Sequence, residues 1–310
     1  MNVISFLSAM VQAGTPLLFA TLGEIFTQKV GHLNLGLEGM MLMGAVTGFA
    51  IGYNTGSPVL AVLAAMLAGM IGALIYAVIT VTLKGNHEVT GLTLTIFGVG
   101  FASFVGNSLV GYKLPDSVSQ VFAEKPIPLL ADIPAIGEIF FSQSVLVYVS
   151  YVLVVVLGIL LYKTKYGLNL RMVGENPGAA DASGINVTRY KYFYILMGGA
   201  LSGLGGAFLS LAYIPVWQEN ITAGKGWIAV ALVIFATWNP YRAVLGAYFF
   251  GGLDIIGFRL QKFALPVPIY IINMLPYVAT VIVLILMSIK KSKENKSPAS
   301  VGKPYFREER

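Results

Sequence analysis

Cysteine is absent from the chain, so disulfides, thiolate catalysis and cysteine-held metals are excluded at the outset. Histidine is almost absent, with His32 and His87 alone. His87-Glu88 is not followed by the second histidine of a zinc-protease motif, and no metal or nucleophile–base set can be assembled. No cofactor is expected. Charge is scarce as well, at 11% of residues against 56% hydrophobic. The phosphate-cradling pattern G-x-x-x-x-G-K-[ST] is missing, since Gly224-Lys225-Gly226 and Gly302-Lys303-Pro304 both fail it. The chain is not expected to hydrolyse ATP by itself. Its start, MNVISFL, has no basic stretch and no clear cleavage site, so the first apolar run reads as a retained span.

What the chain has is apolar length, with a mean hydropathy of +0.78 over 310 residues. A soluble fold of this size could not hide that surface, which predicts an all-α polytopic membrane protein. A span needs ~20 mainly apolar residues. That rule gives spans near 3–26, 38–55, 57–83, 91–112, 143–162, 192–214, 226–240, 242–259 and 266–289. The count is about nine transmembrane helices, or eight to ten if the pair over 226–259 is divided differently. We read 1–289 as one membrane domain and 290–310 as a disordered cytoplasmic tail.

Charge orders the spans. The segment 163–191 carries Lys163, Lys165, Arg171, Arg189 and Lys191, which places it in the cytoplasm. Alternating from there, Lys29, Lys84, Arg242 and the basic tail fall inside. Lys113, Lys125, Lys225, Arg259 and Lys262 fall outside. The bias predicts an N-terminus outside and a C-terminus in the cytoplasm, with Arg259 and Lys262 as dissenters. The net charge of +6 then reads as topology and contact with anionic membrane lipid, not nucleic-acid binding. The loop 113–142 becomes the large external one, its Ile127–Ile139 stretch lying on the outer surface.

The segment 163–191 is more than a connector. Asn176 can cap a helix whose first residue is Pro177, and Gly184 can close it. The result is a short helix of small residues at the membrane surface, where another protein's backbone can come close. Small residues also recur every four positions, at Gly44/Gly48/Gly52, Gly98/Ala102/Gly106, Gly199/Gly203 and Ala243/Ala247/Gly251. These read as packing seams within one subunit, with a dimer interface as the alternative.

Polar groups inside apolar runs are costly in lipid and therefore informative. Asn34 and Glu38 sit in a glycine-broken stretch and either bond a helix start or line a solute path. Thr93 and Thr95 either satisfy local carbonyls or face that path. Asn107, Trp227, Trp238 and Asp254 are weaker candidates, Asp254 being either a pore group or a partner for Arg259.

With LNLGLEGMM at Leu33–Met41 and RMVGENPGAADASGI at Arg171–Ile185, the chain resembles a known family. These are the permease subunits of bacterial ABC importers of the branched-chain amino acid/simple-sugar class, and within it the nucleoside-uptake permeases. The resemblance runs from about residue 10 to 289 and implies several things. Gly174, Glu175, Asn176, Pro177, Ala179, Ala180 and Gly184 would form the coupling element that docks on an ABC ATPase subunit. A second homologous permease subunit and an extracellular substrate-binding (lipo)protein would complete the importer in the bacterial cytoplasmic membrane. The solute would be a nucleoside; the candidates for its translocation path, taken from the polar groups above, are Asn34, Glu38, Thr93, Asn107 and Trp227. Sugar or branched-chain amino acid import are the alternatives within the class. A self-sufficient secondary transporter, with only Glu24, Glu38 and Asp254 for ion coupling, is the alternative outside it.

Overall fold

The computed structural model describes residues 3–261, 271, 274–289 and 297–307. Helices stand wherever the hydropathy reading expects a span. They are α1 (Val3–Lys29), α2 (Leu37–Thr55), α3 (Pro58–Ala77, prolonged by a π-turn over Val78–Thr82) and α4 (His87–Gly106). Further on come α7 (Val145–Lys163), α10 (Val187–Ala207, prolonged by a π-turn over Phe208–Tyr213), α11 (Lys225–Phe235), α12 (Pro240–Gln261) and α13 (Leu275–Ile289). Among the described residues, five helical stretches are long and apolar enough to cross a membrane: Val3–Lys29, Pro58–Thr82, His87–Leu109, Val145–Lys163 and Val187–Tyr213. The ninth expected span, 266–289, begins outside the described residues.

Short elements fill the two polar segments. Between α4 and α7 lie α5 (Asp116–Phe122), α6 (Ile136–Phe140) and a two-strand ladder pairing Lys125–Pro126 with Ser142–Gln143. Between α7 and α10 lie α8 (Lys165–Glu175) and α9 (Pro177–Ala182). The sequence reading had α9 but not α8.

Side-chain caps decide where many of these helices begin. Ser57, Asn86, Thr164, Asn176 and Asn186 each accept a hydrogen bond from an amide in the first turn of the helix that follows. A cap satisfies a donor the helix itself leaves orphaned.

α10 is the axis of the bundle, packed by α1, α2 and α3. α12 lies on α1, and α4 on α2. Glycine makes these approaches close. Gly203 meets Gly44 and Gly69, Gly198 meets Gly23, Gly98 meets Gly39, and Gly251 meets Gly14. A Cβ at any of these glycines would collide with the facing backbone. The four-residue ladders are therefore seams inside one subunit, where backbone contact replaces the hydrophobic drive that lipid removes.

The ends of the bundle differ. At one end Gln143 donates to Ser8, Gln12 to Glu124, and Arg259 to Ser5 while stacking on Phe6. Arg259 thus belongs to the end holding the loop 113–142. At the other end Gly174 packs on the Lys29 carbonyl, and residues 297–307 lie across α8 and α9. The expected tail 290–310 therefore has an ordered stretch; residues 290–296 and 308–310 lie outside the described ones.

Candidate functional site

Two places concentrate polar residues that the apolar spans do not require. The first is the start of α2. Seven residues, Val30–Gly36, return from the end of α1 without helical structure, turning at Gly31 with φ +92°. Non-helical backbone among spans must find partners inside the protein. The Glu24 carboxylate on α1 accepts from the Asn34 amide at 3.1 Å and from Gln28 Nε2 at 2.9 Å. Gln28 in turn accepts from the Trp238 indole at 2.7 Å. The Asn34 side chain accepts from the Gly36 amide at 2.8 Å, and Tyr76 donates to the Leu33 carbonyl at 2.6 Å. Thr95 donates to the Leu35 carbonyl at 3.0 Å.

Glu38 then ties this start to a second helix start. One carboxylate oxygen accepts from Thr222 Oγ1 at 2.5 Å and from the Gly224 amide at 2.8 Å. The other accepts from the Gly226 amide at 2.6 Å. Gly224 and Gly226 open α11, so one carboxylate serves the N-terminal ends of both α2 and α11, where helix dipoles favour negative charge. α11 has eleven residues, about 16 Å at the usual rise, roughly half the hydrocarbon thickness. It is a half-helix, and its start is held inside the protein by Glu38. Beside it Lys225 pairs with Asp254 at 3.0 Å. Asp254 therefore has a different partner from the Arg259 considered in the sequence.

The second place is the elbow between α8 and α9. The Asn176 side chain accepts from the Ala179 amide at 3.0 Å, with Pro177 at the first helical position. Gly184, at φ +80°, ends α9 in a Schellman arrangement: the Gly184 amide donates to Asp181 and the Ile185 amide to Ala180. Gly174 and Ala180 are buried and fasten the elbow to the bundle, while Glu175, Asn176, Ala179 and Gly184 are exposed. The helix presents small side chains outward on a fixed base.

The remaining sequence candidates do not converge with Asn34 and Glu38. Thr93 is exposed on α4 and donates to the Val89 carbonyl. Asn107 is exposed at the end of the same helix, fourteen positions on. Trp227 is 36% exposed on α11, one residue beyond an amide that Glu38 holds. Thr93, Gly100, Ser103 and Asn107 lie on one exposed face of α4, which also carries Ile96, Phe97 and Phe104. The exposed faces of α3 and α7 carry mainly Leu, Ile and Val, without the Thr, Ser and Asn side chains that α4 adds.

One constellation was missed altogether. His32 and His87, far apart in sequence, stack with ring centroids 4.2 Å apart, both buried and without hydrogen-bond partners on their ring nitrogens. Nothing in a single sequence pairs two histidines across 55 positions.

The chain matches, over residues 6–289, a family described as branched-chain amino acid transport system / permease component. It belongs to that family. Several relatives are named as ABC transporter permease proteins. One is the nucleoside permease NupC of Lactococcus lactis subsp. cremoris, 35% identical over 92% of this chain and 94% of its own length. Another is the guanosine permease NupQ of Bacillus subtilis, 33% identical over 92% and 93%. A third is TsgC13 of Haloferax volcanii, named as a candidate glucose permease, 39% identical over 84% and 78%. Among solved structures, an inward-facing ABC transporter of suggested metal-chelate type overlays with a TM-score of 0.51 at 14% identity. It covers 94% of this chain and 86% of that one, a likeness of fold alone. The family and the helices together make this a multi-pass membrane permease of the ABC importer class.

Proposed function

We propose that the chain is the membrane-spanning subunit of an ATP-driven nucleoside importer. The observation that carries the importer mechanism is the α8–α9 elbow: a short helix, capped at both ends and fastened by Gly174 and Ala180, that offers Ala179 and Gly184 to a partner. In a permease of this family that partner is an ABC ATPase subunit, where hydrolysis takes place. Nucleoside as solute is supported by NupC and NupQ, whose similarity extends over nearly the whole of both chains.

The elbow then faces the cytoplasm, with the N-terminus outside, the C-terminus inside and about nine crossings between them, the seventh made by the non-helical stretch 214–224 and the half-helix α11 together. The loop 113–142 meets an external binding lipoprotein. The face of α4 with Thr93, Gly100, Ser103 and Asn107 turns toward a second permease subunit and borders the solute path, because these groups, set among Ile96, Phe97 and Phe104, fit lipid less well than the faces of α3 and α7 do. Asn34 and Glu38 shape that path from behind, by holding the starts of α2 and α11. The setting is the bacterial cytoplasmic membrane.

The test is uptake of radiolabelled nucleosides, sugars and branched-chain amino acids with and without the gene, in mutual competition. Loss of nucleoside uptake alone is expected. Loss of glucose uptake instead would favour the reading that TsgC13 suggests and leave the importer architecture standing. Uptake that survives removal of the ATPase subunit would overturn the mechanism in favour of a secondary transporter.

A further inference from the structure

The stretch 297–307 contacts the elbow at both ends. The Ser300 amide and hydroxyl both donate to the Gly174 carbonyl, at 3.0 and 2.5 Å. That carbonyl lies in the last turn of α8, where a helix leaves its acceptors unpaired. Ser300 itself is 7% exposed and fills the space against Gly31, where a Cβ would collide with its hydroxyl. One residue earlier, the Ala299 amide donates to the Glu175 carboxylate at 3.3 Å. Further along, Tyr305 and Arg307 both donate to the Asp181 carboxylate on α9, each at 3.1 Å. The Tyr305 ring lies 5.8 Å from the Lys191 ammonium on α10, bridging α9 to the bundle.

These contacts leave Ala179, Ala182, Ser183 and Gly184 exposed. A segment built to block α9 would cover those residues. This one grips the flank instead, at Gly174–Glu175 before the bend and at Asp181 after it. α9 has only six residues and could not keep its angle by its own hydrogen bonds. Between the two runs a cleft of about 390 Å³, walled by Asn176 and Pro177 on one side and Pro304 and Phe306 on the other.

We propose that residues 297–307 are a brace for the docking element. They fix the angle between α8 and α9, so that force applied to α9 by the ATPase subunit moves α1 and α10 and is not lost in bending the elbow. The proposal rests on the reading of α9 as the surface that meets the ATPase.

Three variants of the full permease test it in the assembled transporter. One ends the chain after Lys296; one is Ser300→Glu, which sets a carboxylate against the Gly174 carbonyl and expels the strap without removing it; the third is Ala179→Arg. Membrane abundance, co-purification of the ATPase subunit and solute carried per ATP hydrolysed are read for each. Truncation and Ser300→Glu should both lower solute carried per ATP by about tenfold at unchanged abundance, with Ser300→Ala much milder. Full coupling in both strap variants, while Ala179→Arg is defective, would overturn the brace alone. Full coupling in all three would overturn the α9 reading beneath it. Faster uptake after truncation would also overturn the brace, since it would make the strap an inhibitor.

Discussion

Glu38 and Glu175 are both glutamates at helix ends in a chain with little charge, and they do opposite things. Glu38 is buried, and its two oxygens accept from a hydroxyl and two amides that open another helix. Glu175 is exposed; its carboxylate accepts a hydrogen bond from the strap and lies within electrostatic reach of Lys29. Inside an apolar bundle a carboxylate is costly unless it is hydrogen-bonded, so its partners reveal architecture. At the surface a carboxylate needs no such satisfaction, so it can serve a contact that forms later. The start of α2 is built for holding; the elbow, on the function proposed, is for meeting.

The sharpest way to break that comparison is to neutralise each glutamate. Glu38→Gln replaces one acceptor by an amide that must face the N–H groups of Gly224 and Gly226 or the Thr222 hydroxyl. Removing one partner from a buried charged network costs about 3–5 kcal/mol. Glu38→Gln should therefore cut folded protein in the membrane severalfold and lower the melting temperature in detergent. Glu175→Gln should leave both unchanged. Equal melting temperatures would mean Glu38 holds nothing.

The next largest effect reverses the roles. Ala179→Arg should leave the melting temperature within about a degree, because exposed surface changes are nearly neutral to stability. It should abolish ATPase co-purification and uptake, because a long charged side chain prevents close backbone approach. Normal uptake in that variant would remove the elbow from the mechanism.

Much of this was legible in the sequence, for physical reasons. Span positions follow from hydropathy, and α9 was readable because Asn176, Pro177 and Gly184 each have a local meaning at a helix end. The seams were readable because glycine at four-residue spacing has few other uses in lipid. α8 was not, since Lys165–Glu175 is short and polar and takes its order from Leu170 and Val173 packing on the bundle. The partner of Asp254 was not either. Lys225 lies 29 positions away, and only the half-length of α11 brings the two together. The strap was hidden because a Ser/Pro/Lys-rich tail has the composition of disorder, and its order comes from a fit to Gly31 and Gly174.

A smaller effect separates the face of α4 that carries Thr93 and Asn107 from the lipid-facing helices. Thr93→Val and Asn107→Leu should each raise KM for uptake a few-fold at unchanged abundance, since each removes a polar group that borders the proposed path. Val152→Leu, on the exposed face of α7, should change neither. Identical kinetics in all three would assign the α4 face to lipid and its polar groups to local helix bonding.

The smallest effect concerns the two histidines, which lie on the holding side of the comparison but hold without charge. Burial keeps the His32 imidazole well below its usual pKa of 6.5, and the charges of Lys191, His87 and Lys84 push it the same way. The unfolded chain therefore takes up this proton at higher pH than the folded one does. Stability from this group is complete above about pH 6.5 and falls as the pH drops, by up to about 1.4 kcal/mol per unit until the folded imidazole itself titrates. The detergent melting temperature should accordingly be lower at pH 5 than at pH 7.5. His32→Phe keeps a ring against His87 and removes the titrating group, so it should shrink that difference without lowering stability at pH 7.5. A difference of the same size in His32→Phe would place the acid sensitivity elsewhere in the bundle. A flat native profile would mean the pair is open enough to be protonated at no cost.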